Sequence, residues 1–262
     1  MNEPQRTQSW FVPPVDDDPA AWRNFDRLYV GHEFCEHLLP TPADVERVIA
    51  AKPAATPLTL VTPYVTDAGL VRVRELADRF LADGAFDEWV FNDWGVFRLL
   101  RERWGRPVLG RLLTRQLRDP RWLSLKREAP QNHGHIDDLA LNEDFVRFLL
   151  DNGVRRVELD VIPTAWQWLP EDLRGSMYRP YTYASTTRHC LTANLDRRGN
   201  CSSRIPAGCG RECLERPLVF RHEALKCDLF LRGNTLFFRN QWDDAAPLPP
   251  FIDRVVRTQA HD

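Results

Sequence analysis

The stretch PLTLVTPYVTDAGLVRVRELADRFLADGAFDEWVFND, residues 57–93, decides how the chain is organised. Leu58 to Val61 are a short run of apolar and β-branched residues, which predicts a buried strand. A helix then starts at Asp67 and places Leu70, Val73, Ala77 and Phe80 along one side at helical spacing. Trp89-Val90-Phe91 predict the next strand, ended by Asn92-Asp93. Strand, amphipathic helix and strand within about forty residues is the signature of a parallel βαβ unit.

The same alternation continues in both directions. Upstream, Leu28-Tyr29-Val30 predict a strand that stops at Gly31, and Thr41-Pro42 open a helix with Thr41 as N-cap. Val45, Val48 and Ile49 supply its apolar face. Downstream, a helix is expected from about Gly95 to Trp104, then a strand at Pro107-Val108-Leu109. Residues 111–137 are basic and mixed and give no clear pattern. Asn142 caps a helix carrying Phe145, Phe148 and Leu149, which stops at Asn152-Gly153. Val157 to Val161 form a fifth strand and Tyr178 to Tyr183 a sixth. A hairpin, Asp228–Leu231 and Thr235–Phe238, turns at Gly233-Asn234. The expected fold is therefore α/β, a partial or distorted (β/α) TIM-like barrel, with an open doubly wound sheet as the rival. Residues 1–25 read as an irregular leader and 26–262 as one α/β domain. Within that domain, 186–240 form a cysteine-bearing loop region and hairpin. The little sequence after the hairpin suggests an unclosed barrel.

The chain has 262 residues, 43% apolar and 27% charged, with a formal net charge of −2. Those are values of an ordinary globular protein, with no global pull toward nucleic acid or an anionic membrane. No run of about 18 apolar residues exists to span a bilayer. The N-terminus lacks the basic start and apolar core of a signal peptide, so the expected compartment is the cytoplasm. There, six cysteines would remain thiols and favour metal binding over disulfides.

Five of those cysteines lie in the last third: Cys190, Cys201, Cys209, Cys213 and Cys227. Cys35 stands alone, just past the first predicted strand. In a (β/α) barrel all strand C-termini share one face, which places Cys35 and Cys190 on the same side of the molecule. Cys209 and Cys213 add two thiols four positions apart. Four thiolates are a soft shell that suits an iron–sulfur cluster or zinc. A mixed zinc site drawing on His32, Cys35 and His37 is the competitor. Cys201 and Cys227 are as readily small buried hydrophobes. The residue pattern alone leaves iron–sulfur and zinc open.

Several segments together resemble the collagenase-like peptidase family (U-32), in its UbiV-like, ubiquinone-pathway branch. Leu28-Tyr29-Val30-Gly31-His32-Glu33-Phe34-Cys35 is similar to that branch's first strand, glycine and cysteine. Asn92-Asp93-Trp94-Gly95 resembles the family's NDxG turn. Arg188-His189-Cys190-Leu191-Thr192-Ala193 is similar to its ARCFTAR segment, with His189 in place of the first arginine and Asn194 in place of the last. Cys209 and Cys213 match the paired cysteines that follow. The resemblance runs over about residues 27–240. It implies a [4Fe–4S] cluster on Cys35, Cys190, Cys209 and Cys213. It also implies a role in oxygen-independent hydroxylation rather than proteolysis, with prephenate implicated as the family's oxygen source. Relatives of this type act on an aromatic small molecule or an RNA base, often as heteromers of two related subunits.

Proteolysis finds no support in the residues themselves: G-x-S-x-G and H-E-x-x-H are both absent. Asn92, Asp93 and Arg188 are the substrate-side candidates for catalysis. Turning the chain and capping the next helix is the plainer role for the first two. His32 and Glu33 could tune a cluster from beside Cys35. Glu158 and Asp160 alternate with apolar neighbours and face either the barrel or water. Between Thr186 and Lys226, eight Arg or Lys stand against four Asp or Glu. With Tyr178, Tyr181 and Tyr183 upstream, RNA is a possible partner. His133, His135 and the tryptophans, Trp166 and Trp168 among them, read as structural. The expectation is an iron–sulfur subunit of an oxygen-independent hydroxylase, with a small-molecule or RNA-base acceptor and a related partner subunit. The alternatives are a non-catalytic, metal-braced partner and a zinc-binding structural protein.

Overall fold

The computed structural model describes residues 7–11, 19–114, 116–123, 142–162, 169–194, 209–215, 218–241 and 247–258. In chain order the elements are β1 (Thr7–Phe11), β2 (Arg27–Gly31), α1 (Pro42–Ala51), β3 (Leu58–Thr62), α2 (Asp67–Phe80), β4 (Glu88–Phe91), α3 (Trp94–Leu100) and β5 (Pro107–Leu109). They continue with α4 (Glu143–Asp151), β6 (Arg156–Asp160), β7 (Arg174–Arg179), β8 (Tyr181–Thr186) and α5 (Leu191–Asn194). The last four are β9 (Leu218–Phe220), β10 (Leu229–Arg232), β11 (Thr235–Arg239) and β12 (Ile252–Arg257).

Eight parallel strands close into a TIM-like (β/α) barrel in the order β1-β12-β7-β6-β5-β4-β3-β2. The barrel is complete, which corrects the expectation of an unclosed sheet. The two strands that close it lie at the ends of the chain. β1, from the stretch expected to be an irregular leader, pairs with β2 on one side and β12 on the other. Strands of five and six residues at the chain ends carry too little periodicity to stand out from a loop.

The predicted sixth strand is in fact two. Arg179 O accepts Thr258 N at 2.8 Å on the barrel side, and Pro180 O accepts Asn240 N at 2.9 Å. The chain thus leaves the barrel at that point and enters a second sheet, ordered β8-β11-β10-β9. This antiparallel sheet contains the predicted hairpin and lies between β7 and β12 in sequence, at the C-terminal mouth of the barrel. Phe230, Phe237, Tyr181 and Tyr183 from it pack on Phe34, which follows β2. The sheet is a cap over the mouth.

The helices start where the sequence places them, and their caps explain why; α3 stops at Leu100, short of the expected Trp104. Thr41 and Asp44 make a reciprocal capping box on α1, with Pro42 in the first turn. Asn142 accepts the Phe145 amide at 2.8 Å to start α4, and Gly153, at φ +79°, ends it. Apolar faces of α1 to α4 pack on the outer faces of the strands in one continuous core. Inside the barrel, Tyr29, Val61, Val90, Val108, Tyr178 and Val256 form a separate cluster.

Residues two positions earlier on the same strands point the same way, one layer down. There Glu88 accepts Thr59 Oγ1 at 2.8 Å and pairs with Arg254, while Arg27 stands 3.6 Å from it. Glu158 is the register partner of Ser176 on β7; the Tyr29 hydroxyl donates to its Oε1 at 3.1 Å and accepts from Arg254 at 2.7 Å. The other oxygen, Oε2, is buried without a hydrogen-bond partner. Burial pushes this carboxyl up to about 7, against the pull of Arg254 and Arg156.

The folded carboxyl therefore holds its proton over a window, from about 4.5 to 7, in which the unfolded one has lost it. Its contribution is present at low pH and lost as the pH rises through the folded value. Relative to the Glu158→Gln variant, wild type is expected to lose up to about 3 kcal/mol between pH 5 and pH 8. Urea denaturation of both proteins at the two pH values measures this, and a constant difference would mean Glu158 is ionised throughout.

Candidate metal centre

Three separate pieces of chain converge above the barrel mouth. The first is the loop after β2. Gly31 has φ +136°, and a Cβ there would fall 2.0 Å from Val61 O, so only glycine lets the chain turn off the strand here. His32 then organises the loop: its Nδ1 accepts the amides of Phe34 at 3.1 Å and Cys35 at 3.0 Å. Burial, with Arg232 nearby, lowers His32 to about 4, so the ring is neutral and its proton sits on Nε2. A zinc-binding histidine usually donates its second nitrogen rather than accepting with it, which weighs against His32 as a ligand. Cys35 begins the single turn Glu36–Leu38. The Glu36 carboxylate clamps Thr66 N at 2.7 Å, and Arg72 holds Glu36 O and Leu39 O at 3.0 and 3.1 Å.

The second piece carries Cys190, at the start of α5. Its sulfur accepts Ala193 N at 3.5 Å, and Asn194 Nδ2 donates to its carbonyl at 2.7 Å. The third carries Cys209 and Cys213, with Cys213 buried in the turn Glu212–Leu214 that follows left-handed Arg211.

The hairpin tip of the cap joins them. Gly233, at φ +61°, sits where a Cβ would touch Cys213 Sγ at 3.4 Å and lie 3.9 Å from Cys190 Sγ. Its carbonyl accepts Thr192 N and Oγ1 at 3.3 and 3.2 Å. Asn234 donates to Phe34 O at 2.7 Å and to Tyr64 Oη at 2.9 Å, and Thr187 N donates to Asn234 O at 3.1 Å. One β-turn thus braces the Cys35 loop and the Cys190 segment, and packs on Cys213.

The electrostatics give the same grouping. Burial is the largest influence on Cys35, Cys190 and Cys213 and raises all three. Cys213 reaches about 12, raised further by the charges of Cys190, Cys35 and Cys209. Cys227 is raised by burial and then by Asp228 alone, and lies apart in the surface loop between β9 and β10. Cys201 falls outside the described residues, as do His133, His135, Trp166 and Trp168. Among the described residues, no three His, Cys, Asp or Glu side chains meet closely enough to hold a single metal ion. Zinc draws four ligands to about 2.3 Å from one centre, whereas a cubane cluster holds each thiolate on its own iron and needs a wider ring.

Below the thiols the mouth is filled by charge that the sequence did not reveal. Arg111, directly after Gly110 at the end of β5, pairs with Glu33 and donates to Asp160 Oδ1 at 2.6 Å. Arg118 donates to Asp160 Oδ2 at 2.5 Å and to Arg111 O at 2.8 Å. The Arg111 guanidinium lies 3.8 Å from the centre of the Tyr178 ring, and Arg118 4.3 Å from that of Tyr183. Arg111 is 1% exposed and Asp160 0%. Barrel enzymes bind substrate at this face; here the protein's own side chains occupy it. Both arginines fall in the stretch without readable periodicity. The only signal was position, an arginine just past a strand's C-terminus.

The substrate-side candidates divide. Asn92 is buried, donates to Thr62 O at 3.0 Å and accepts Leu112 N at 3.1 Å. Asp93 caps α3 through Gly95 N at 2.6 Å and Val96 N at 3.3 Å, and also accepts Val65 N at 3.2 Å. Both hold backbone. Arg188 is exposed, lies 5.1 Å from the centre of the Tyr64 ring, and donates to Val65 O at 3.3 Å.

No protein-family model matches the sequence, and no curated protein does. Among solved structures, the chain is similar to a U32 peptidase at 10% identity, with a TM-score of 0.45, over 100% of this chain and 96% of that one. It is also similar to a glycoside hydrolase family 18 N-acetylglucosaminidase from Paenibacillus barengoltzii. That match has 10% identity, a TM-score of 0.35 and coverage of 96% and 94%. No helix of the described residues is long and apolar enough to cross a membrane.

Proposed function

We propose that Cys35, Cys190, Cys209 and Cys213 bind a [4Fe–4S] cluster, and that the chain is an iron–sulfur subunit of U-32 type serving an oxygen-independent hydroxylation. The observation that carries this is the mutual proximity of four thiols separated by up to 178 positions, gathered about the Gly233-Asn234 turn. An all-thiolate set suits either an iron–sulfur cluster or zinc, and the resemblance to the U-32 family is what favours the cluster.

A bound cluster would supply one-electron transfer. Ligation by four thiolates leaves no open iron for a substrate, so the chain's own residues would do the remaining work. His32 and the Glu36 clamp fix the Cys35 loop, and Asn234 ties that loop to the cap. Arg188, exposed beside Tyr64, retains donors for an anionic or aromatic acceptor. The acceptor we favour is an aromatic small molecule, then an RNA base. Asn92 and Asp93 would support the site through the backbone.

One observation favours a second reading, a non-catalytic partner that braces a related catalytic subunit. The Arg111 network fills the pocket in which a barrel enzyme would hold substrate. The barrel has no open edge to cover. The cap does: β9 is one of its two edge strands, with Val219 and Phe220 exposed.

Protein purified without oxygen is expected to contain about four iron and four sulfide per chain and to absorb broadly in the visible. A colourless chain with about one zinc and no sulfide would replace this reading with a structural zinc site.

A further inference from the structure

A cluster held by four thiolates is a net anion, and becomes more so when it accepts an electron. Placing it in a half-buried site is unfavourable unless a positive charge stands nearby. The thiols and the cap contain such a charge in Arg232.

Arg232 is the last residue of β10 and immediately precedes Gly233, whose Cβ position lies 3.4 Å from Cys213 Sγ. Strand alternation turns its side chain to the same face as Phe230, the face that packs on Tyr181 and Phe34 over the barrel mouth. The guanidinium is half-buried, and its Nε is fully buried without a hydrogen-bond partner. Among the described residues no carboxylate pairs with it. The titratable groups it stands near are the Cys213 thiol, the Tyr181 hydroxyl and the His32 ring. Inside the barrel, Arg111, Arg118 and Arg254 each meet a carboxylate. Arg232 instead stands in the field of Cys213.

We propose that Arg232 is a positioning charge for the metal centre, a built-in counter-ion that stabilises the anionic cluster and raises its reduction potential. The proposal rests on the [4Fe–4S] reading above. A fixed cation favours whichever oxidation state carries more negative charge, which is the reduced one. The hairpin therefore does two things at its tip: Gly233 gives the thiols room, and Arg232 supplies the balancing charge.

Iron and sulfide analysis of wild type first decides the cluster reading by itself. If wild type carries the cluster, Arg232→Gln and Arg232→Lys are compared with it by potentiometric titration of the visible spectrum. Arg232→Gln is expected to shift the midpoint negative by about 59 mV, a tenfold change in the one-electron equilibrium. Arg232→Lys, which keeps the charge, is expected to stay close to wild type. If the glutamine variant fails to retain its cluster, a lysine variant that keeps both cluster and potential still supports a charge role. A fully loaded Arg232→Gln protein with an unchanged midpoint would overturn the proposal. So would equal loss of the cluster in both variants, because that marks a packing role.

Discussion

Replacing Arg111 with methionine is expected to destabilise the fold by about 3–5 kcal/mol, more than any other single change to the barrel interior. The size follows from what is left behind. Glu33 and Asp160 are both buried, and Arg111 lies between them with a hydrogen bond to each. Without it, Asp160 keeps Arg118, but Glu33 loses its counter-charge. Burial already pushes the Glu33 carboxyl upward, and the Arg111 charge and hydrogen bond are what oppose that push. Methionine fills much of the volume beside Tyr178 and Phe34, so the loss is electrostatic rather than a cavity. The double variant Glu33→Gln/Arg111→Met should recover part of the loss, because the uncompensated charge has gone with its partner. Urea denaturation of the single and double variants measures both quantities. Glu33 is also two residues from Cys35, so the single variant should hold less iron than wild type. A loss under about 1 kcal/mol would instead identify Arg111 as held ready for a ligand rather than for the fold, and would return the mouth to catalysis.

How far the sequence could be read follows from where local signals exist. Helices announce themselves by caps and period: Thr41-Pro42 and Asn142 start helices where expected, and Asn152-Gly153 ends one. Central parallel strands show as apolar runs because both their faces are buried, as in β3. β1 and β12 lack that clarity, so closure of the barrel was missed. The split at Pro180 was missed for a different reason. Both sides of it are buried and rich in tyrosine, and only the destination of the hydrogen bonds separates barrel from cap. Cys35 and Cys190 are joined in the sequence by a topological rule, barrel strand ends on one face. The structure does bring them near each other, but Cys190 follows β8 of the cap rather than a barrel strand. The charged interior was not legible. Arg111, Arg118 and Arg232 look like surface residues in any local window, and only the folded geometry shows which carboxylate or thiol each one meets.

Serine in place of Cys213 is expected to remove the visible absorption and most of the iron, while serine at Cys227 leaves both unchanged. Cys213 is the most buried of the described cysteines, at 5% exposure, and stands against the tip of the cap hairpin. Its charge environment is set by burial and by the other three thiols together, so it occupies the shared corner of the group. A serine hydroxyl is far harder to deprotonate than a thiol and is a poor ligand for a soft iron centre. No other described thiol could move in without breaking the Gly233 contact or the Asn234 links that hold the Cys35 loop. Cys227 shares none of this, since Asp228 is the charge it senses. Cys201 completes the comparison, because a serine there separates a fifth, exchangeable thiol from a bystander. Iron, sulfide and absorbance of the Cys213, Cys227 and Cys201 variants, prepared side by side without oxygen, decide the ligand set. If Cys213→Ser kept its full complement of iron, the four-thiol centre would have been drawn around the wrong residue. The hairpin would then be a packing element, and the case for a cluster would have to rest on Cys201.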